Sequence, residues 1–559
     1  MEKRVIIFLV LSLAVILGYD FLLKQLGLLP PSTSVQEPAS RESHDGRGDA
    51  GFPSDRKVDA LTPNGSVSAP SEPFATATSS TELIPPTERT ITLETDLIRV
   101  SLNARGGVIS SWELQKYRTA PPEQKAVQLV YQGGKFRGPL SITTSDATVE
   151  KTLREGLYTI DADFTTLDAS HPVGHVTMRF EDTASGLKLQ KRLSFHHASY
   201  LVDVAITFEG MSDAYDVVLG TNFGIVEWGD GFIGLIGSAS LVDGKVEKET
   251  PDTELERKGA VQWVALQDKY FLSVLMPQGG AVALAKKEGD KLVSSSVRMA
   301  PLGAGASSLL QLYAGPKEYD TLRLLNVGLE DTIDFGWFIF GSWSVVKAIA
   351  KPIFYVLRFI NEYTHNYGVT IILLTVGIKM LFVPLQYKSY KSMKQMQVIQ
   401  PKVLALQEKL KDDRDRLNKE LIKLYRDHKV NPVGGCLPMV LQMPVFVALF
   451  NILYMTIDLR QAPFVGWITD LSVQDPYYVL PVIMGASMVI QQKITPTTMD
   501  PTQAKIMLVL PVFMTFLFIN FPAGLVLYWL TNNALTISQQ IITDRVYFAN
   551  KPLLVEPAK

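Results

Sequence analysis

Hydrophobic positions along this chain follow three rhythms, and the changes between them divide it into regions. Met1 to Leu23 (MEKRVIIFLVLSLAVILGYDFLL) sets Lys3 and Arg4 ahead of an apolar run from Val5 to Leu17 that resumes at Phe21. No small-x-small cleavage site follows, so the segment reads as an uncleaved membrane anchor with its basic end cytoplasmic. From Leu29 to about Thr87 the chain turns to Pro, Ser, Thr, Ala and Gly with scattered charge. That composition offers too little apolar surface to offset chain entropy, which predicts a disordered tether.

Between about Glu88 and Leu325 the rhythm is short alternation. Ile91 to Leu102, His175 to Phe180, Leu187 to Phe195 and Tyr200 to Phe208 read as half-buried strands separated by Gly, Asp and Ser turns. Many such strands predict a large antiparallel β-sandwich. Its last stretch, Leu312 to Leu325 (LYAGPKEYDTLRLL), carries a Gly-Pro turn and then a helix-compatible run. Phe335 to Ile360 is apolar and aromatic but interrupted by Lys347, Lys351, Pro352 and Arg358, which suits a helix lying in the membrane surface.

The third rhythm is the long apolar run. Tyr367 to Leu385, Cys436 to Ile457, Tyr477 to Ile490, Ile506 to Phe521 and Ala523 to Ile542 predict five spans, six with the anchor. Two of them fall short of the roughly 20 helical residues that cross a hydrocarbon core of about 30 Å, so thinned lipid is expected around them. Between the first two, Lys388 to Lys429 holds twelve Lys or Arg against six Asp or Glu, with apolar residues at helical spacing. This predicts a basic helical hairpin, cytoplasmic by the positive-inside rule. Asp458 to Asp475, with one Arg and three Asp, falls outside, and both termini fall in the cytoplasm.

The formal charge of −2 excludes a nucleic-acid binder driven by bulk charge. Cys436 is the only cysteine, which excludes an intramolecular disulfide and multi-cysteine metal sites. His171, His175, His196 and His197 show no ligand spacing and are expected to be structural; no cofactor motif is present.

Lys379 is the candidate that matters most, a lone ammonium in YGVTIILLTVGIKMLFVPL. At membrane depth such a group requires a wet cavity or a partner. A snorkelling lysine is the plain alternative, but Lys388, nine residues on, is roughly 13 Å away along a helix, farther than a lysine stem extends. The sixth span is unusually polar (Thr531, Asn532, Asn533, Thr536, Ser538, Gln539, Gln540), and no Asp or Glu lies inside the five later spans. Eleven of the sixteen methionines follow residue 370, as a surface accepting varied apolar partners would have. These features favour a wet groove of positive potential. A secondary transporter is the alternative, for which an intramembrane carboxylate and a repeat would be usual. A sugar-modifying β-domain would need an acid-base pair, and none stands out.

NPVGGCLPMVLQMPVFVALFNIL (Asn431 to Leu453), DLRQAPFVGWITDLSVQDPYYVLPVIMG (Asp458 to Gly485), QKITPTTMDPTQAKIM (Gln492 to Met507) and FPAGLVLYWLTNNALTISQQ (Phe521 to Gln540) resemble the YidC family of membrane-protein insertases in its Gram-negative form. The resemblance covers essentially the whole chain. It implies a polytopic α-helical inner-membrane protein of six transmembrane helices, five forming an insertase core, with a large periplasmic all-β supersandwich. The corresponding regions are an anchor over 1–28, a linker over 29–87, the β-domain over 88–330, an interfacial helix over 331–365, a span over 366–387, the hairpin over 388–432, four spans over 433–546 and a tail over 547–559. By position, Lys379 matches the family's groove cation, commonly arginine, and Thr375, Gln442, Phe446, Trp529 and Asn533 match groove or client-contacting positions. A non-enzymatic inserter and chaperone of nascent membrane-protein clients is implied, working alone or with the Sec translocon among membrane lipids. The tail lacks a strongly basic end, which leaves the hairpin as the expected ribosome-docking surface.

Overall fold

The computed structural model describes residues 90–545 apart from 120–122, 134–136, 227–235, 249–250, 303–304, 334–343, 411–412, 429, 432–436 and 496–500; for 344–345, 347, 414, 437–441 and 501–508 it describes the backbone alone. The expected anchor and linker, the start of the interfacial segment, Cys436 and the tail lie outside the described residues. All described residues belong to one compact unit, Ser71–Lys559.

Alternation of apolar and polar side chains produces three antiparallel sheets. The largest runs, in spatial order, Lys245–Lys248, Gly237–Val242, Val261–Gln267, Phe271–Pro277, Ser307–Pro316, Leu201–Glu209, Leu187–His196, Val173–Asp182 and Thr159–Ala162. A five-stranded sheet (Glu254–Arg257, Ala281–Gly289, Leu292–Met299, Tyr215–Thr221, Ile142–Thr144) and a four-stranded one (Thr90–Glu94, Ile98–Asn103, Val108–Arg118, Ala126–Gln128) pack against it. The run Ile91 to Leu102, expected as one strand, is a hairpin of two. Thr95 Oγ1 accepts the backbone N–H groups of Leu97 and Ile98 and so reverses the chain.

Lys191 breaks the alternation. Leu187, Leu189, Leu193 and Phe195 point into the sandwich as a period of two requires, and Lys191 points in with them, 0% exposed. Its Nζ donates to Gly107 O and Leu140 O, both at 2.8 Å, and more weakly to Gly106 O at 3.4 Å. Gly106 and Gly107 turn the chain at φ 74° and 55°, and a Cβ on Gly107 would run into the Tyr158 ring. The lysine thus ties the four-stranded sheet's turn to the loop that leads into the five-stranded sheet.

The described helices are α1 (Ala147–Glu155), α2 (Tyr319–Leu324), α3 (Ser344–Thr364), α4 (Tyr367–Lys409), α5 (Arg414–Asp427), α6 (Leu437–Met455), α7 (Val479–Ile494), α8 (Pro501–Phe518) and α9 (Ala523–Thr543). Helix α3 buries Val346, Ala350, Phe354 and Leu357 at helical spacing and exposes Tyr355, Val356, Phe359 and Tyr363 on the other side. Gly315 and Pro316, expected as a turn, are instead the last residues of the strand Ser307–Pro316, paired with Leu272 and Phe271. The helix expected after them is α2, and it meets α3: Tyr319 Oη lies 2.7 Å from Tyr355 Oη, and Arg358 pairs with Asp320 at 2.5 Å.

Helix α4 is capped by Asn366, whose side chain accepts Val369 N–H, and continues for 43 residues, about 65 Å. The boundary expected near Lys388 is therefore no break in the backbone, and the hairpin's first arm is the continuation of the span. Among the described residues α4 is the one helix of 18 residues or more that is apolar enough to cross a membrane; shorter apolar helices are Gln442–Met455, Val479–Ile494 and Val509–Phe518. Helix α9 packs on α4 and α7, and α7 on α8, where a Cβ on Gly485 would collide with Thr515 Oγ1.

At the β-domain end, the connection from Thr456 to Tyr478 covers the bundle. Leu459, Ile468 and Leu471 are buried in it, Ala523 and Gly524 donate N–H groups to Val473 O and Leu471 O, and Phe464 fills the space over Gly368. The β-domain reaches the same place. Arg460 donates to Arg118 O at 2.9 Å, and Lys269 Nζ lies 3.6 Å above the Tyr454 ring.

Burial pushes the Lys191 ammonium down from 10.5 to about 7, and its two short bonds need only the two N–H groups of the neutral amine. Between these values the unfolded chain holds one proton more than the folded chain, so the stability this site contributes is flat below pH 7 and rises toward pH 10.5. Lys191→Met leaves two buried carbonyls unpaired, at a cost of about 2 kcal/mol. The expected result is a lower unfolding temperature for the variant, with the gap from wild type widening between pH 7 and pH 9 in calorimetry; a constant gap would show that the folded amine stays charged.

Candidate functional site

Lys379 lies on α4 twelve residues beyond Tyr367, about 18 Å along the helix from its β-domain end. It is 7% exposed, and its Nζ donates to Thr536 Oγ1 on α9 at 2.8 Å. The Thr536 hydroxyl spends its own proton on Asn532 O at 2.7 Å, which leaves its oxygen free to accept. An ammonium carries three donors. Among the described residues this hydroxyl is its one hydrogen-bonding partner, and it forms no ion pair with an Asp or Glu.

Polar side chains continue from this point. Gln442 on α6 donates to Asn532 Oδ1 at 3.4 Å and accepts from Gln386 on α4 at 3.5 Å. Both contacts are long and half-buried, so they are weak bonds whose amides keep hydrogen-bonding capacity to spare. Two turns separate Lys379 from Gln386 and one separates Asn532 from Thr536, so each pair shares a helix face. Three helices thereby contribute to one polar strip, and the apolar side chains of the same helices hold it in place.

Beside the strip stands an aromatic group. Phe446 meets Trp529 edge to face at 4.9 Å, and Phe518 meets Trp529 at 4.7 Å. Trp529 and Phe446 are half-buried, whereas Tyr528, on the neighbouring face of α9, is fully packed.

Of the six residues singled out in the sequence, Lys379 and Gln442 share the polar strip, and Phe446 and Trp529 form the aromatic pair next to it. Thr375 is buried, with its hydroxyl bonded to Ile371 O at 2.6 Å within α4. Asn533 is also buried and donates to Ser487 Oγ at 3.0 Å, tying α9 to α7. Thr536, Asn532 and Gln386 are the strip members that sequence reasoning passed over as site residues. Their signal was the helical spacing from Lys379 and within α9. Farther toward the hairpin, Asp544 accepts from Tyr390 Oη at 2.5 Å and pairs with Lys394 at 3.1 Å, fixing the end of α9 to α4.

This geometry holds a positive charge, amides and a hydroxyl beside aromatic rings. No nucleophile is joined to a base here, and no group of three or more metal-ligating side chains occurs among the described residues. The strip is suited to binding peptide-like polar groups and carboxylates.

Residues 90–356 match the family model described as YidC periplasmic domain, and residues 359–551 match that of the 60Kd inner membrane protein. The membrane protein insertase YidC of Geotalea daltonii is 37% identical, with 98% of this chain and 99% of that one aligned. Its counterpart in Syntrophus aciditrophicus is also 37% identical, over 99% and 100%. That of Geobacter metallireducens is 36% identical over the whole of both chains. A crystal structure of an active YidC insertase with its first transmembrane domain resolved overlaps at 16% identity and TM-score 0.34, covering 81% of this chain and 92% of that one, a likeness too weak to add to the case. Both regions of the chain match models of one family, and relatives more than a third identical extend along nearly all of its length: the chain belongs to the YidC family.

Proposed function

We propose that this protein is a membrane-protein insertase of the bacterial inner membrane, with its β-domain in the periplasm. Full-length relatives bearing that name support the reading. In its finer form the chain crosses the membrane six times, with both termini and the α4–α5 hairpin cytoplasmic. The expected division into anchor, linker, β-domain, interfacial helix, hairpin, core and tail applies. The Lys379 strip is the client-binding groove, with Thr375 and Asn533 supporting its walls through their bonds to Ile371 and Ser487.

The observation that carries this reading is the mismatch at Lys379, three donors against one acceptor among the described residues. A buried ammonium so poorly matched requires water or an incoming acceptor beside it. A client's hydrophilic tail or short loop supplies such acceptors. Gln442, Asn532 and Gln386 lower its desolvation cost, and the Lys379 charge attracts acidic segments. The client's apolar helix then passes along Phe446 and Trp529 into lipid. Burial of its apolar surface drives the process with no covalent step and no cofactor. The hairpin, basic by its sequence, is the ribosome-facing surface, and the Sec translocon is a partner for clients that need it.

Photocrosslinkers placed at Gln442, Phe446 and Trp529 should capture a ribosome-stalled nascent membrane protein, with a crosslinker at the exposed Val512 as control. Adducts from Val512 alone would sink the groove. A second measurement concerns charge. One unit attraction at about 4 Å in a water-like medium is worth about 1 kcal/mol, or about fivefold. Lys379→Ala should therefore lower insertion of an acidic-tailed client about fivefold relative to a neutral-tailed one in proteoliposomes, and Lys379→Arg should keep the wild-type ratio.

A further inference from the structure

The Thr456–Tyr478 connection has two sides. One is committed to protein: Leu459, Ile468 and Leu471 enter the bundle, Arg460 reaches the β-domain, and Ser472 faces Tyr270. The other presents Val465 (64% exposed), Trp467 (42%), Tyr477 (69%) and Tyr478 (42%). No formal charge occupies an exposed position from Gln461 to Tyr478. Its two acids are turned away: Asp470 is half-buried and accepts from Ser472, and Asp475 is fully buried. A loop that faced bulk water would show charges and few aromatic rings.

The aromatic side chains are also set in place. Asp475 accepts Trp467 Nε1–H at 2.9 Å, Tyr477 N–H at 3.0 Å and Leu480 N–H at 2.7 Å. Trp467 and Tyr477 consequently meet edge to face at 6.3 Å. Tyr478 holds a positive φ of 57° where helix α7 begins. One turn farther, the exposed side of α7 continues with Val482 and Ile483. The uncharged aromatic surface therefore runs directly into the apolar side of a membrane helix.

We propose that Val465, Trp467, Tyr477 and Tyr478 form a membrane-interface anchor, seated at the headgroup–acyl boundary of the leaflet on the β-domain's side. Amphipathic rings favour that depth. The anchor holds the β-domain end of α7 at a fixed height, and with it the connection that covers the bundle. This inference rests on α7 crossing the bilayer, as the proposed function requires.

The single cysteine makes site-directed spin labelling straightforward. In a full-length Cys436→Ser background, Val465→Cys, Tyr477→Cys, Lys245→Cys (exposed on the β-domain) and Val512→Cys (on the apolar side of α8) are labelled one at a time. The proteins are reconstituted in phosphatidylethanolamine–phosphatidylglycerol vesicles, and collision rates with oxygen and a water-soluble nickel chelate are measured. Labels at 465 and 477 are expected to show nickel collisions several-fold below the Lys245 site and oxygen collisions between those of the Lys245 and Val512 sites. Trp467→Ser combined with Tyr478→Ser should raise nickel collisions at 465. Nickel access at 465 and 477 equal to that at 245, with 512 still shielded, overturns the anchor and leaves the membrane reading intact. Equal access at 512 overturns both. Dipolar broadening between labels at 465 assigns the surface to a second copy and overturns the lipid anchor.

Discussion

A lysine withdrawn from water needs an acid, a full set of acceptors or water brought to it, or else gives up its proton, and this chain meets that requirement in two opposite ways. In the β-sandwich, Lys191 is enclosed by three backbone carbonyls and the Tyr158 ring, and no further partner can approach. In the helical bundle, Lys379 has one hydroxyl among the described residues. The first arrangement is complete and serves the fold. The second is incomplete, and an incomplete site in a packed bundle persists only where something else finishes it. The polar strip of Gln386, Gln442, Asn532 and Thr536 answers that need: it lines the approach to the charge with half-buried amide and hydroxyl groups.

Which end of the strip is open is decided by the asymmetry of α9. From Ala523 to Tyr528 every residue is buried beneath the Thr456–Tyr478 connection, and from Trp529 to Thr543 most are half-buried or exposed. One end of the bundle is thus sealed by apolar packing and by backbone bonds to Val473 and Leu471, and the polar half faces the hairpin. The β-domain reinforces the seal through Arg460 and through Lys269 over Tyr454. One continuous apolar cluster runs from the sandwich through α3 to Val447 and Ile452 of α6. The three-sheet domain is therefore a fixed abutment for one wall of the strip.

The sequence made the sandwich, the bundle and Lys379 legible because each follows from periodicity or from a charge out of place. Lys191 was hidden by the same rule: in LKLQKRLSF a lysine in an alternating strand is read as facing solvent, and only the register with Leu189 and Leu193 turns it inward. The hairpin inside Ile91 to Leu102 was hidden because one threonine hydroxyl, and no Gly or Pro, makes the turn. Asn532 and Asn533 show the limit most sharply. They are chemically identical neighbours about 100° apart on a helix, one on the polar strip and one bonded to Ser487. Composition cannot phase them; only the packing of α9 against α7 does.

The length and interruptions of the helices extend the same logic. Helix α7 has 16 residues, about 24 Å of rise, less than an unperturbed hydrocarbon core of about 30 Å. Set across a bilayer, as the proposed function requires, such a helix calls for thinned lipid beside it, which shortens the apolar path past Trp529. Proline also interrupts the ladder of α4. Pro384 has no N–H to offer the carbonyl of Met380, so one backbone acceptor is released on the exposed face that carries Met380 and Leu381, about 100° or more around the helix from Lys379. Thus α4 runs uninterrupted from the Asn366 cap to Lys409 while carrying this defect away from the face that joins it to α6 and α9, so the bonds from Lys379 to Thr536 and from Gln386 to Gln442 are left intact.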